Sequence, residues 1–138
     1  MERKSKERAK EVVGEHMIEV FLAIHDEEVR KEFREELREK GVKRARLPRL
    51  AILYDIDGAL AFYHVKTNTI VVSAKKVEEA AKKHGLDVRC IAKSVLYHEL
   101  AHYFYTLRNI FKDYGSEEKE AEAWEFAALA MCVSSNEQ

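Results

Sequence analysis

The chain has 138 residues, of which 46% are hydrophobic, and this length supports one domain with a single core. Its 24 basic and 25 acidic residues nearly cancel, so no net field recruits nucleic acid or an acidic substrate. No apolar stretch reaches the roughly 18 residues of a membrane span, and no signal peptide follows the charged N-terminus. We therefore expect one domain over residues 1–138, located in the cytoplasm, with no nucleic-acid or membrane partner.

Charged residues make up 36% of the chain, which has a single proline. This profile is typical of heat-adapted (thermophilic) proteins, which are enriched in Glu, Lys and Arg. Cys90 and Cys132 are far apart and form no CxxC motif. We expect both to be buried thiols in a reducing compartment rather than parts of a disulfide framework.

A basic stretch over residues 40–49 contains five cations and no acid. A solvated connector is the simpler interpretation of such a run. A phosphate-binding surface is the alternative, and it would also fit a nucleic-acid-associated protein.

Residues 6–40 are predicted to form an amphipathic helix, because apolar residues recur there at three- and four-residue steps. A break is expected near His25 and Asp26, and Gly41 is the expected stop. The pattern also suits a coiled-coil arm. We expect packing against the same domain, because the rest of the chain has few apolar residues to form a core.

Three short strands are predicted over residues 50–57, 59–65 and 69–73. Asp57-Gly58 is a hairpin-type turn signal between the first two strands, and residues 66–68 form a turn before the third. The pattern predicts a small three-stranded antiparallel sheet.

Three further helices complete the predicted α+β fold. Residues 74–84 form a backing helix that Gly85 ends, since glycine readily adopts the left-handed conformation of a C-terminal cap. A helix capped by Asp87 runs to about residue 111, and a last helix capped by Ser116 covers residues 117–132.

Residues 98–102 read HELAH, an HExxH motif. Residues four apart share one face of a helix, so His98 and His102 can bind one Zn²⁺ at about 2.0–2.1 Å each. Glu99 can take a proton from a zinc-bound water, whose pKa the metal lowers to about 7. The pair and its intervening Glu favour a zinc site over two buried core histidines. The motif therefore predicts a zinc-dependent metallopeptidase with Glu99 as the catalytic base.

A catalytic zinc site needs a third protein ligand and leaves a fourth position for water. The HxxGxxH extension of metzincins is absent, because Leu107 and Arg108 follow the aromatic run at residues 103–105. The last helix instead carries five glutamates, most of which we expect on a solvated face: Glu117, Glu118, Glu120, Glu122 and Glu125.

Residues 95–104 (VLYHELAHYF) and 120–127 (EAEAWEFA) resemble the gluzincins, zinc peptidases whose third ligand is a Glu on a following helix. At this length and without a membrane span, the chain most resembles the minigluzincins. These are small soluble relatives of the catalytic domains of membrane CAAX-type prenyl proteases. The resemblance covers residues 50–131 and implies a zincin-like domain that hydrolyses an extended polypeptide paired with an edge strand. ImmA/IrrE-type regulatory peptidases carry a similar pair of segments and remain an alternative.

The register of this resemblance implies that Glu120 is the third zinc ligand. Glu120 and Glu122 point about 200° apart on an ideal helix, so only one of them can face the metal. Glu122 therefore stays an alternative, and Glu118 is a further rival. Trp124 stands where the family often has an Asp or Asn that orients a metal-bound His, so another group must supply that support.

The sequence leaves several features of the site open. Four side chains could stabilise the oxyanion: Tyr103, Tyr105, Tyr114 and His64. A non-catalytic zinc-binding module is a second function class, although structural sites usually have four protein ligands, commonly thiolates, and neither Cys lies near the motif. We expect low or latent activity, because residues 133–138 follow the glutamate helix and could reach the cleft. The oligomeric state stays open.

Overall fold

The computed structural model describes residues 27–43, 46–108 and 113–137. Within these ranges it contains four helices and one three-stranded mixed sheet, which confirms the α+β class. In chain order the elements are α1 (Glu27–Glu39), β1 (Arg49–Leu53), β2 (Ala61–His64), β3 (Thr69–Ser73), α2 (Ala74–His84), α3 (Val88–Arg108) and α4 (Tyr114–Glu137). The helix predicted before residue 27, with its break near His25, lies outside the described residues.

The sheet has the strand order β1-β3-β2, with β3 parallel to β1 and antiparallel to β2. The prediction of an all-antiparallel sheet is therefore wrong. The third strand takes the centre because residues 70–73 are all buried, whereas β1 and β2 are only partly covered. A strand that is apolar on both faces is best accommodated between two neighbours.

The connection between β1 and β2 explains the parallel pairing. Residues 54–60 do not close a hairpin at Gly58 but pass the end of β3. There the Leu60 carbonyl accepts a hydrogen bond from the Ser73 N–H at 2.8 Å, and the Tyr54 carbonyl accepts one from the Lys75 N–H at 2.9 Å. The chain consequently enters β2 on the far side of β3.

The turn at residues 66–68 is confirmed as the hairpin between β2 and β3. The Asn68 N–H donates to the Val65 carbonyl at 3.2 Å, and Asn68 has a φ of 49°. Asparagine tolerates this left-handed conformation better than most residues do.

The expected ends of α2 and the start of α3 are confirmed. Gly85 has a φ of 64° and caps α2 in the left-handed conformation. The Asp87 carboxylate accepts a hydrogen bond from the Arg89 N–H at 2.8 Å at the start of α3. Gly41, which follows α1, also has a positive φ of 88°. Each helix thus ends or begins at a residue whose chemistry specifies it.

The fourth helix begins earlier than predicted, at Tyr114. Asp113 caps it, because its carboxylate oxygens accept hydrogen bonds from the Ser116 N–H at 2.8 Å and the Ser116 hydroxyl at 2.9 Å. The prediction that Ser116 is the cap is wrong, since Ser116 is a donor to the true cap. The helix also extends past the predicted end at Cys132.

The third helix lies at the centre of the core. Leu96 and Leu100 are fully buried in a hydrophobic cluster that the sheet shares with α1, α2 and α3. Cys90 and Cys132 form a disulfide with a Cα–Cα distance of 5.5 Å, which links the start of α3 to α4. The expectation of two free thiols is therefore wrong. No helix in the described ranges is long and apolar enough to cross a bilayer.

Candidate metal centre

The HExxH segment occupies the middle of α3, on the side that faces α4. Leu100, within the motif, is fully buried in the core, while the rings of His98 and His102 lie side by side with centroids 5.2 Å apart. Their spacing of one helical turn brings both imidazoles to the same place, as the sequence predicts.

Glu118 of α4 lies between the two imidazoles. One carboxylate oxygen is 2.7 Å from Nε2 of His98, and the other is 2.9 Å from Nε2 of His102. Ligand atoms of these three residues lie within 4.8 Å of one another, so the group could hold a metal ion. Two imidazole nitrogens and one carboxylate are a donor set found in catalytic zinc sites.

Each imidazole is also held through its other ring nitrogen. Nδ1 of His98 lies 2.7 Å from a carboxylate oxygen of Glu125, and Nδ1 of His102 lies 2.7 Å from one of Glu117. A carboxylate that accepts from Nδ1–H orients the ring and directs the Nε2 lone pair toward a metal. Nothing in the sequence pattern singles out Glu117 or Glu125, and together they supply the support that Trp124 cannot.

The charge around the imidazoles is strongly negative. Four carboxylates face two histidines, namely those of Glu99, Glu117, Glu118 and Glu125. Even two protonated imidazoles would balance only half of these charges, and partial burial makes uncompensated charge costly. A divalent cation bound by two neutral imidazoles would supply the same two positive charges, and it would also accept lone pairs from both Nε2 atoms and from the Glu118 carboxylate, so the donor set fits a metal.

The pKa values reflect this mutual stabilisation. Burial lowers the pKa of His98, but the Glu125 hydrogen bond and the charges of Glu118 and Glu99 outweigh burial and raise it. Burial raises the pKa of Glu118, but the Tyr114 hydroxyl and the two imidazoles outweigh burial and lower it. The ring and the carboxylate therefore favour their charged forms beside each other.

Glu99 is buried next to the first histidine, with 6% of its surface exposed. Burial raises the pKa of the Glu99 carboxyl, and the positive charges of His102 and His98 only partly oppose this shift. A carboxylate with a raised pKa accepts a proton more readily, which suits a general base.

Tyr114 covers the solvent side of His102. The two rings stack with centroids 5.5 Å apart and planes 3° apart, and the Tyr114 hydroxyl is hydrogen-bonded to Glu118. Burial and this bond to a carboxylate raise the pKa of Tyr114 to about 12, so the hydroxyl stays protonated at neutral pH. Of the four oxyanion candidates, Tyr114 is the one that contacts the residues of the candidate metal centre.

The other three candidates make contacts away from the metal centre. The hydroxyl of Tyr103 donates to the Arg46 carbonyl at 2.8 Å, that of Tyr105 donates to Glu120 at 3.5 Å, and Nδ1 of His64 lies 2.8 Å from the Thr67 hydroxyl. These bonds leave Tyr114 as the best-placed donor.

Glu120 and Glu122 are both exposed on α4, and neither belongs to the group that could hold a metal. The structure brings Glu118 to the two imidazoles instead. Trp124 and Leu129 of these two faces pack against the core, but Met131 and Phe126 are 71% and 65% exposed, and neither Glu120 nor Glu122 is carried to the imidazoles.

The C-terminal residues continue α4 rather than folding back toward the site. Residue 133 lies about 12 Å along the helix axis from Glu125, at a rise of about 1.5 Å per residue. Residues 133–137 therefore do not reach the metal centre, and the structure does not support autoinhibition by this segment.

Comparison of the chain with protein-family models, with curated proteins and with solved structures finds no match in any of the three.

Proposed function

We propose that the chain is a zinc-dependent peptidase in which His98, His102 and Glu118 bind the metal. The observation that supports this most is the Glu118 carboxylate between the two Nε2 atoms, with a second carboxylate on each Nδ1. Three protein ligands leave a position for water, as in catalytic rather than structural zinc sites. Bound there, zinc would supply a Lewis acid and a water with a pKa of about 7.

Glu99 acts as the proton carrier in this proposal. Its carboxylate accepts the proton of the attacking water and passes it to the amide nitrogen of the departing peptide. Glu99 lies beside His98 without being a ligand, and its raised pKa makes its carboxylate a better proton acceptor than an ordinary glutamate.

Tyr114 is the proposed oxyanion donor. Its protonated hydroxyl would leave Glu118 and donate to the carbonyl oxygen as that oxygen becomes negative. Stacking on His102 holds the Tyr114 ring beside the proposed metal ligands.

The substrate is an extended polypeptide. Within the described residues β2 pairs only with β3, so its outer edge has free backbone donors and acceptors. The strand packs against the helix of the metal centre, with the rings of Tyr63 and Tyr103 5.9 Å apart. A peptide that pairs with this edge would gain backbone hydrogen bonds alongside α3, the helix that carries the two histidines.

Metal analysis and cleavage of a denatured protein test the proposal together. We expect one zinc per chain after purification without chelator. Glu99→Gln should keep the zinc and lose hydrolysis, while Glu122→Gln, which changes an exposed glutamate, should keep both. Tyr114→Phe should keep the zinc and lower kcat by about a hundredfold to a thousandfold.

Two results would count against this function. Absence of a transition metal, with no uptake on zinc titration, would end it, and so would equal cleavage by Glu99→Gln and the wild type. A protein that binds zinc but cleaves nothing would instead be a non-catalytic zinc-binding module.

A further inference from the structure

A cavity of about 680 Å³ lies between the C-terminal half of α3, the β2–β3 hairpin and the segment that follows α1. None of the metal-centre residues is among the described residues that line it. Its size falls within the roughly 300–1,000 Å³ that is typical of small-molecule sites. The cavity is therefore a separate candidate site.

The lining of this cavity is basic. Lys43, Arg46 and Arg108 contribute to it, and among the described residues no carboxylate does. Within the part of the chain that the structure describes, none of these three cations forms an ion pair. In a chain with 24 basic and 25 acidic residues, such a concave surface has an uncompensated positive charge that attracts anions.

The wall around Arg46 is fixed through its backbone. The Arg46 carbonyl accepts hydrogen bonds from the Tyr103 hydroxyl at 2.8 Å and from Nδ2 of Asn68 at 3.5 Å. The Tyr63 hydroxyl in turn donates to Oδ1 of Asn68 at 2.7 Å. These bonds position the residue while leaving its guanidinium without a hydrogen-bond partner among the described residues.

Arg108 is fixed by the segment that follows α1. Its guanidinium donates to the Lys40 carbonyl at 3.4 Å and lies against Gly41, where an added Cβ would be 3.1 Å from Nη2. Gly41 also has a φ of +88°, which side chains rarely allow. The glycine thus permits both the turn and the close approach of the arginine.

We propose that this cavity binds a small organic molecule that carries a phosphate group. Arginine guanidinium groups match phosphate oxygens with two parallel hydrogen bonds, and three cations suit a phosphate monoester of charge about −1.5 to −2 better than a single carboxylate. Val42, Val65 and Leu107 also line the cavity, so its apolar walls would cover the organic part. The site is independent of the proposed zinc chemistry.

Binding of phenyl phosphate to the full-length protein, followed by calorimetry, tests the proposal. Inorganic phosphate and benzoate serve as comparison ligands, and both should bind more weakly. Arg46→Gln should weaken phenyl phosphate binding about tenfold to a hundredfold, as expected for loss of charge-assisted hydrogen bonds. Arg89→Gln is the matched control, because Arg89 is an exposed arginine of α3 outside the cavity, and it should bind as the wild type does.

The thermal unfolding midpoint of Arg46→Gln should match that of the wild type, because the Arg46 side chain makes no hydrogen bond or ion pair in the described structure. His98→Ala should retain phenyl phosphate binding, since the metal centre is elsewhere. The proposal is overturned by the absence of binding at millimolar concentration or by equal binding to Arg46→Gln. It is also overturned if benzoate or inorganic phosphate binds as tightly as phenyl phosphate does, or if His98→Ala no longer binds phenyl phosphate.

Discussion

Glu125 holds His98 through Nδ1 at 2.7 Å, from the helix opposite. This contact turns Nε2 of the same ring toward Glu118, also at 2.7 Å. The contact with Glu125 leaves Nε2, and not Nδ1, facing His102 and Glu118. Glu125 can therefore affect metal affinity without being a ligand.

Replacing Glu125 with Ala should lower zinc affinity about tenfold to a hundredfold, the usual effect of losing such a partner. Zinc titration against a competing chelator measures this loss. Glu122→Ala is the control, since it removes an exposed carboxylate from the same helix and should leave zinc affinity unchanged. Equal affinities in the two variants would show that Glu125 does not support the ligand.

Asp55 makes the stability of the protein depend on pH at the end of the sheet. The Lys76 hydrogen bond at 2.8 Å is the largest cause that lowers the pKa of Asp55, with help from the charge of Lys75. A lowered folded pKa contributes stability above the ordinary value of 3.8, and that stability is lost as pH falls through the folded pKa. Denaturant unfolding at neutral and strongly acidic pH should show this loss.

Asp55→Asn should reduce the difference in unfolding free energy between the two pH values. The reduction should be small, because the ion pair is solvent-exposed and screened. Asp57→Asn changes a nearby carboxylate that makes no ion pair within the described ranges, and it should leave the difference as in the wild type. If both variants respond to pH as the wild type does, Asp55 is not the group responsible.

The disulfide between Cys90 and Cys132 should add substantially to stability. The two residues are 42 positions apart. Closing a loop of that length restricts the unfolded chain by about 4 kcal/mol in the chain-entropy account. Cys132→Ala should therefore lower the free energy of unfolding by about 2–4 kcal/mol, measured by urea denaturation. A reducing agent should lower the unfolding free energy of the wild type by as much as the Cys132→Ala substitution does, and it should leave the variant unaffected. If reduction does not change the stability of the wild type, the disulfide does not contribute as expected.

Much of the fold follows from local sequence patterns, but the sheet order does not. Helix ends at Gly85 and Asp87 are encoded by single residues with specific cap chemistry. Asp57-Gly58 is a typical turn sequence, but it does not join two paired strands. The pairing is instead determined by the burial of β3 between β1 and β2. The disulfide is equally non-local, since two distant cysteines have no spacing that predicts their contact.

The histidines of the site were predictable from their spacing, whereas the choice among the glutamates of α4 was not, since Glu118 was only a rival to Glu120. The side of α4 that meets α3 carries Ala121 and Ala128, which are buried, together with Glu118 and Glu125. Small residues let the two helices approach closely enough for short carboxylate contacts. Large apolar residues usually mark the inward face of a helix, but here Phe126 is exposed. The alternation of Ala and Glu at three- and four-residue steps was the available signal.

Glu118 and Glu120 therefore make a decisive pair for identifying the third ligand. If Glu118 is the proposed direct ligand, Glu118→Ala should lose more zinc affinity than the roughly tenfold to hundredfold that is typical of losing a residue that only orients a ligand. Glu120→Ala should stay near wild type, since that carboxylate is exposed and lies 3.5 Å from the Tyr105 hydroxyl. Both variants remove one negative charge from the same helix, so long-range electrostatics are matched, and circular dichroism checks that both fold. A loss of zinc affinity confined to Glu120→Ala would return the ligand to the position that the gluzincin resemblance implies.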